Sequence, residues 1–188
     1  MESQLVRSIR RIVVIGTTGS GKTTFAARLA HRCQVPHIEI DALHWRPNWT
    51  HASDEELRRL IDQATSAPAW VVDGNYGVCR NIVWGRAQAV VWLDYSLWTT
   101  FRRLFFRTMK RCLSRELLWG NNYENIWSQL KLWSNDSLFT WLFKTHWRHK
   151  RQFPALFASP QFSHLRIFHF KSPSQAEAWL QALGGSFH

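Results

Sequence analysis

Short runs of consecutive apolar residues alternate along this chain with segments whose apolar positions recur at helical spacing. Arg11-Ile-Val-Val-Ile15 is apolar at successive rather than alternate positions, which predicts a strand buried on both faces. It ends on Gly16, and from Thr24 to Cys33 the residues Phe25, Leu29 and Ala30 recur near a helical period. His37 to Asp41 predicts a second strand. Ser53-Asp-Glu-Glu56 has the form of a capping box and predicts a helix running toward Ala67. Trp70 to Asp73 and Ala89 to Asp94 predict two further strands, the latter followed by Ser96 in position to cap a helix. A fifth strand, Leu165 to Phe170, precedes Ser172-Pro-Ser-Gln175, a cap with proline at the first helical position, and Gly184 and Gly185 close the last helix. Five short strands alternating with helices predict an α/β fold: a five-stranded parallel sheet flanked by helices on both faces. The chain reads as one domain over residues 1–188, with a Trp- and Leu-rich, mainly helical insertion over about 114–153.

Composition changes this picture little, and charge changes it more. The 188 residues are 45% hydrophobic and 20% charged, which excludes a disordered chain. No signal peptide is recognisable, and no apolar run approaches the roughly 18 residues that span a bilayer. Cys33, Cys79 and Cys112 are odd in number and widely spaced, which excludes a disulfide framework or a cysteine zinc site and suits a cytoplasmic protein. The formal charge of +11 favours anionic partners: nucleotides, nucleic acid or acidic lipid. The expected partners are a nucleotide and a small-molecule acceptor, with nucleic acid at most a weak one and no membrane; the sequence does not speak to oligomeric state.

The chemistry is concentrated where the first strand meets the first helix. Gly16, Thr17, Thr18, Gly19, Ser20, Gly21, Lys22 and Thr23 fit G-x-x-x-x-G-K-[ST] at every fixed position, in the strand and helix context that gives the motif its meaning. The glycines let backbone N–H groups turn toward phosphate oxygens, and the helix N-terminus beginning near Thr24 adds its positive dipole end. Lys22 can reach the outer phosphates and Thr23 can bind Mg²⁺. ATP and Mg²⁺ are therefore the expected cofactors. A hard cation needs a carboxylate close by. Asp41, Asp73 and Asp94 each end a predicted strand, and in a parallel sheet those ends share one edge.

Three segments together, Gly16 to Thr23, Trp70-Val-Val-Asp-Gly-Asn-Tyr76, and Asp94 followed by an arginine-bearing helix, resemble the adenylate-kinase-like P-loop kinases. Asp41-Ala-Leu-His-Trp45 and Asp73-Gly-Asn-Tyr76 are most similar to a bacterial branch labelled topology modulation protein, and the resemblance covers nearly the whole chain. It implies a P-loop NTPase fold whose insertion closes as a lid, Asp73 as the Mg²⁺-side carboxylate beside Thr23, and Arg103 and Arg107 as the pair that meets adenine and phosphates. Lys171 and Ser172 would then lie at the adenine edge. Asn75, Tyr76 and Arg80 would face the substrate, although the monophosphate kinases have an aromatic residue, Pro and Arg directly after Asp-Gly. Between Arg115 and Arg148 the insertion has no arginine, where kinase lids commonly supply one.

The arginine helix also separates without that resemblance: at about 100° per residue, Phe101, Leu104, Phe105 and Cys112 share one side, and Arg103, Arg107, Lys110 and Arg111 the other. His44 and Trp45 are expected to line the acceptor side. The reaction expected is transfer of a phosphoryl group from ATP to a small acceptor, with nucleotides and nucleosides among the acceptor classes, and with Lys22, Asp41, Arg103 and Arg107 as the catalytic set. The alternative function is an ATP-regulated nucleic-acid-binding protein.

Overall fold

The structure, a computed structural model, describes residues 9–114, 117–119, 122–123 and 138–184. The central sheet contains β1 (Arg11–Gly16), β2 (His37–Glu39), β3 (Trp70–Asp73), β4 (Ala89–Leu93) and β7 (Arg166–Phe170), in the order β2-β3-β1-β4-β7. Every neighbouring pair is parallel. A separate two-stranded antiparallel ribbon pairs β5 (Leu117–Leu118) with β6 (Asn122–Tyr123).

The consecutive apolar positions read from the sequence are explained by what covers the sheet. Val13 and Ile15 of β1 pack with Val72, Val90 and Trp92 against α3 (Asp54–Ala64), α4 (Arg80–Arg86) and α6 (Leu138–Phe157), where Leu57, Ile61, Val83, Trp84 and Phe153 complete one core. Ile12 and Val14 face the other way, with Val71, Ala89, Val91 and Leu93, against Phe25, Ala26 and Leu29 of α1 (Lys22–Cys33) and Ala176 and Leu180 of α7 (Pro173–Gly184). Each central strand therefore buries both faces, as a parallel sheet with crossover helices requires.

All three predicted serine caps are present. Ser53 accepts from the Glu56 N–H at the start of α3 at 3.1 Å, and Ser172 accepts from the Gln175 N–H at 3.3 Å while the Gln175 side chain accepts from the Lys171 N–H. Ser96 accepts from the Thr99 N–H ahead of α5 (Leu97–Ser114).

Three boundaries differ from expectation. β2 ends at Glu39, because only His37 to Glu39 are in register with β3, and Asp41 lies in the first turn of the short helix α2 (Ile40–His44). Gly74 has φ 137°, and a Cβ there would stand 2.8 Å from the Ile40 Cβ, so the chain after β2 turns immediately over the end of β3. Phe105 is 39% exposed rather than on the core side of α5, where Leu104 alone is fully covered in that turn. Within the expected insertion, α5 extends to Ser114 and α6 begins at Leu138. Residues 115–116, 120–121 and 124–137 of the lid expected over about 114–153, like the Gly185 helix stop, lie outside the described residues.

Candidate active site

β1 delivers the chain into a loop packed too closely for a side chain at Gly19. Gly19 has φ 78°, and a Cβ there would meet the Thr100 carbonyl oxygen at 2.4 Å and the Leu104 Cβ at 3.0 Å, so the loop lies directly on α5. Thr17 and Ser20 are buried, and the Ser20 N–H donates to the Thr17 carbonyl. Gly21 precedes α1 with φ 83°, and α1 carries no acid in its first turn, so the positive end of its dipole and its free N–H groups face the loop uncompensated. Lys22 is the first residue of that helix and Thr24 its third.

Arg103 reaches the same loop from α5. Its Nη1 donates to the Ser20 carbonyl at 3.1 Å, and its guanidinium lies 5.6 Å from the Tyr95 ring centroid. Arg107 lies one turn further along α5 and is half-buried. Lys171 and Ser172 stand between β7 and α7, at the far edge of the sheet, with Ser172 engaged as the helix cap.

Asp73 is 1% exposed and is held by two donors. The Thr23 hydroxyl donates to Oδ2 at 2.7 Å, and His37 Nε2 stands 2.9 Å from Oδ1. The register explains the meeting: Val14 of β1 pairs with Asp73, two residues before Gly16, so the carboxylate lies under the first turn of α1. A hydroxyl and a carboxylate converging beside a phosphate loop are hard oxygen donors that suit Mg²⁺. Among the described residues no group of three His, Cys, Asp or Glu side chains could hold a metal ion. Thr23 and Asp73 are the residues that would hold Mg²⁺.

Asp94 does not share this site. Its carboxylate pairs with Lys150 at 3.3 Å and with His169 at 3.0 Å, and the His169 ring stacks on Trp92 at 4.1 Å. The sequence pattern puts Asp94 among three candidate carboxylates for the cation; the structure engages it in a network beside β7 and α6 instead.

The residues expected on the acceptor side gather around the ends of β2 and β3. The Tyr76 hydroxyl donates to Asp41 Oδ1 at 2.6 Å, and burial, reinforced by that carboxylate, pushes the phenol pKa well above its ordinary value. His44 packs edge-on against Trp45, stacks on His51 at 5.3 Å and lies 4.8 Å from the Tyr76 ring, with burial first and His51 second lowering its pKa. Asn75 Nδ2 stands 2.9 Å from His149 Nε2. His149 is buried, and its pKa is pushed down to about 4, first by burial and then by Arg148, Lys22 and Arg80. The charges of those three cations all oppose its protonation. Arg80, with its guanidinium 5.5 Å from the Trp84 ring centroid, has its own pKa lowered by burial and then by Arg148.

Sequence reasoning missed four residues here: His37, Glu39, Arg148 and His149. The carboxyl of Glu39 is pushed up by burial first, with the charges of Asp73 and Asp41 adding to it. His37 and Glu39 could have been found from the neighbour order of β2 and β3. Arg148 and His149 had no local signal, since α6 reaches the site from more than seventy residues beyond Asn75.

Comparison with known proteins agrees with this architecture. A sequence model of the family described as ATPase family associated with various cellular activities (AAA) matches residues 12–81, from β1 through the start of α4. A shikimate kinase from Bacteroides thetaiotaomicron superimposes with a TM-score of 0.56 at 17% identity, covering 94% of this chain and 97% of that one. The fold is that of a P-loop NTPase. A shikimate kinase from Acinetobacter baumannii in complex with shikimate gives 0.55 at 16% identity, with 99% of each chain covered. A gluconokinase from Sinorhizobium meliloti gives 0.50 at 18%, with 93% of each covered. At these identities the likeness speaks for the P-loop fold alone. No match was found among curated protein sequences.

Proposed function

We propose that the protein is a P-loop kinase that transfers the γ-phosphoryl group of ATP to a small acceptor carrying a hydroxyl and an anionic group. The observation that supports this most is a division of the site. The Thr23 and Asp73 pair stands beside the phosphate loop and Lys22, and the Asp41 and Tyr76 pair is held separately from it. The similarity to shikimate kinases and a gluconokinase fits the same class. The likeness to the topology modulation protein branch rests on the Asp41 to Trp45 and Asp73 to Tyr76 segments.

In this reading the loop backbone and Lys22 bind the phosphates, and Arg103 braces the loop through Ser20 while lying beside the nucleotide. Mg²⁺ would neutralise charge on the nucleotide, with Thr23 and Asp73 as the residues that would hold it. Asp41, one of its oxygens fixed by Tyr76, orients the acceptor hydroxyl and takes its proton as the new O–P bond forms. Arg80 and Arg148 hold the acceptor anion, with Arg148 supplying from α6 the cation that the arginine-free insertion lacks. Arg107 adds charge one turn along from Arg103, and Lys171 and Ser172 meet the base edge.

The other reading, an ATP-regulated nucleic-acid-binding protein, rests on the net charge and on the label of the topology modulation branch, and gains nothing from the kinase neighbours. A screen of hydroxy acids, sugar acids, nucleosides and nucleotides for acceptor-dependent ADP release tests the kinase directly. Expected is release with at least one acceptor and none in Lys22→Ala, with the melting temperature unchanged. ADP release that ignores every acceptor, or turnover preserved in Lys22→Ala, would refute it.

A further inference from the structure

The outer faces of α5 and α6 carry a second pattern that the phosphate chemistry does not use. Trp98 is 71% exposed, Phe106 64% and Leu113 80%, and with Arg102 they fall within about 80° of one another on the α5 helical wheel. Phe143 and Trp147 of α6, 47% and 58% exposed, lie one turn apart with Arg151 a turn further on. Ring contacts from Trp98 to Phe101 at 6.2 Å and from Phe101 to Phe143 at 6.1 Å carry the apolar surface from one helix to the other. The two helices contain five and four Lys or Arg residues respectively and no Asp or Glu.

We infer that this face docks the protein on an acidic phospholipid surface, with the exposed aromatic and leucine side chains entering the interface and the flanking cations meeting the head groups. An exposed apolar stripe rimmed by arginine and lysine is the pattern of an interfacial helix, and an all-cationic pair of helices complements a negative leaflet. The same face opposes a second copy of this chain, which would set Arg102 and Arg151 against their own counterparts with no Asp or Glu from either helix to offset them. Single-stranded nucleic acid is disfavoured by Leu113, the most exposed of these residues, which offers no ring for a base to stack on. The mode is peripheral: among the described residues no helix is long and apolar enough to cross a membrane. The absence of a long apolar run, on which the sequence-level expectation of no membrane partner rested, does not bear on contact of this kind.

Sedimentation of the full chain with phosphatidylcholine vesicles, with and without phosphatidylglycerol, tests the inference. At physiological salt the protein should pellet with the acidic vesicles only. Trp98→Ser and Phe106→Ser should each lower partitioning by roughly tenfold, as expected for withdrawing a large side chain from an apolar phase. Arg102→Gln and Arg151→Gln should each lower it about fivefold and make its loss with salt shallower, since each removes one screened contact. Binding of a non-hydrolysable ATP analogue should be unchanged in all four, which controls for folding, and the two arginine variants keep the test available if an aromatic variant does not fold. The inference is overturned by no pelleting with acidic vesicles or by equal pelleting of parent and variants. It is equally overturned if Phe106→Ser abolishes a solution dimer or the binding of a single-stranded oligonucleotide while leaving vesicle binding intact.

Discussion

Replacing Asp73 by asparagine tests the centre of the proposed site, because it removes one negative charge while keeping the shape of a side chain that is 1% exposed. Asp73 accepts from the Thr23 hydroxyl at 2.7 Å and lies 2.9 Å from His37 Nε2. The hydroxyl can rotate and the imidazole can change tautomer, so both contacts survive in the Asp73→Asn variant as neutral hydrogen bonds. A hydrogen bond to a charged group contributes about 1.5 to 3 kcal/mol and a neutral one about 0.5 to 1.5. The change should therefore cost about 2 kcal/mol of stability, which for a domain of this size lowers the melting temperature by about 4 to 8 °C. The effect on the cation is larger in relative terms. Loss of a carboxylate that orients a metal site costs about 10- to 100-fold in metal affinity.

Calorimetric titration of a non-hydrolysable ATP analogue, with and without Mg²⁺, separates the two effects in Asp73→Asn. The half-saturating Mg²⁺ concentration should rise by about 10- to 100-fold, with metal-free nucleotide binding close to that of the parent. Asp41→Asn should leave the Mg²⁺ dependence alone and remove transfer to the acceptor. If Asp41→Asn shifts the Mg²⁺ requirement and Asp73→Asn does not, the two carboxylates have exchanged roles and the assignment fails.

Two further outcomes follow from groups with little freedom to adapt. His149, pushed down to about 4 from an ordinary 6.5, stays neutral in the fold while the unfolded chain takes up a proton. The stability it supports is complete above about pH 6.5 and is lost as pH falls toward 4, by about 2 to 3 kcal/mol. Urea unfolding at pH 7 and pH 5 should show this loss in the parent and much less of it in His149→Gln, and equal losses would refute it. Gly19→Ala forces a left-handed residue to carry a Cβ 2.4 Å from a backbone oxygen, so it should cost about 2 to 5 kcal/mol and weaken nucleotide binding as the loop leaves α5. Gly85→Ala, in α4 with nothing within 4 Å of the added atom, should stabilise by about 0.5 to 1 kcal/mol in the same urea series. The reasoning fails if the two changes cost the same.

The parts of the fold legible in the sequence are those whose determinants are local. Both-face burial makes β1, β3 and β4 continuous apolar runs, and serine at a cap is visible three residues before its partner. The sequence pattern overextends β2 because His37 to Asp41 alternates in polarity as a strand does. What ends it at Glu39 is the close approach of Ile40 to Gly74, a contact across the sheet that no local pattern encodes. The wheel of α5 alone turns Phe105 inward, whereas the surface that α5 buries is set jointly by the phosphate loop and α6. Asp94 is ambiguous for a similar reason. Its position at a strand end is the same as that of Asp73, and only the tertiary structure brings Lys150 and His169 to neutralise one and Thr23 and His37 to hold the other.

That contrast also explains why one carboxylate suits the cation. Both lie at carboxyl ends of strands flanking β1, where ligands collect in a parallel sheet. β3 pairs with β1 so that Asp73 meets Val14, while β4 pairs so that Leu93 meets Gly16 and Asp94 falls one residue beyond the strand. Asp73 is therefore set back two residues from the loop, beneath Thr23, and its charge is screened from water on all sides. Asp94 projects past the loop toward α6, where Lys150 and the His169 ring, both partly exposed, are its partners. A carboxylate already paired with a lysine has less left for Mg²⁺. One held only by a hydroxyl and an imidazole keeps most of its field directed at the phosphate loop.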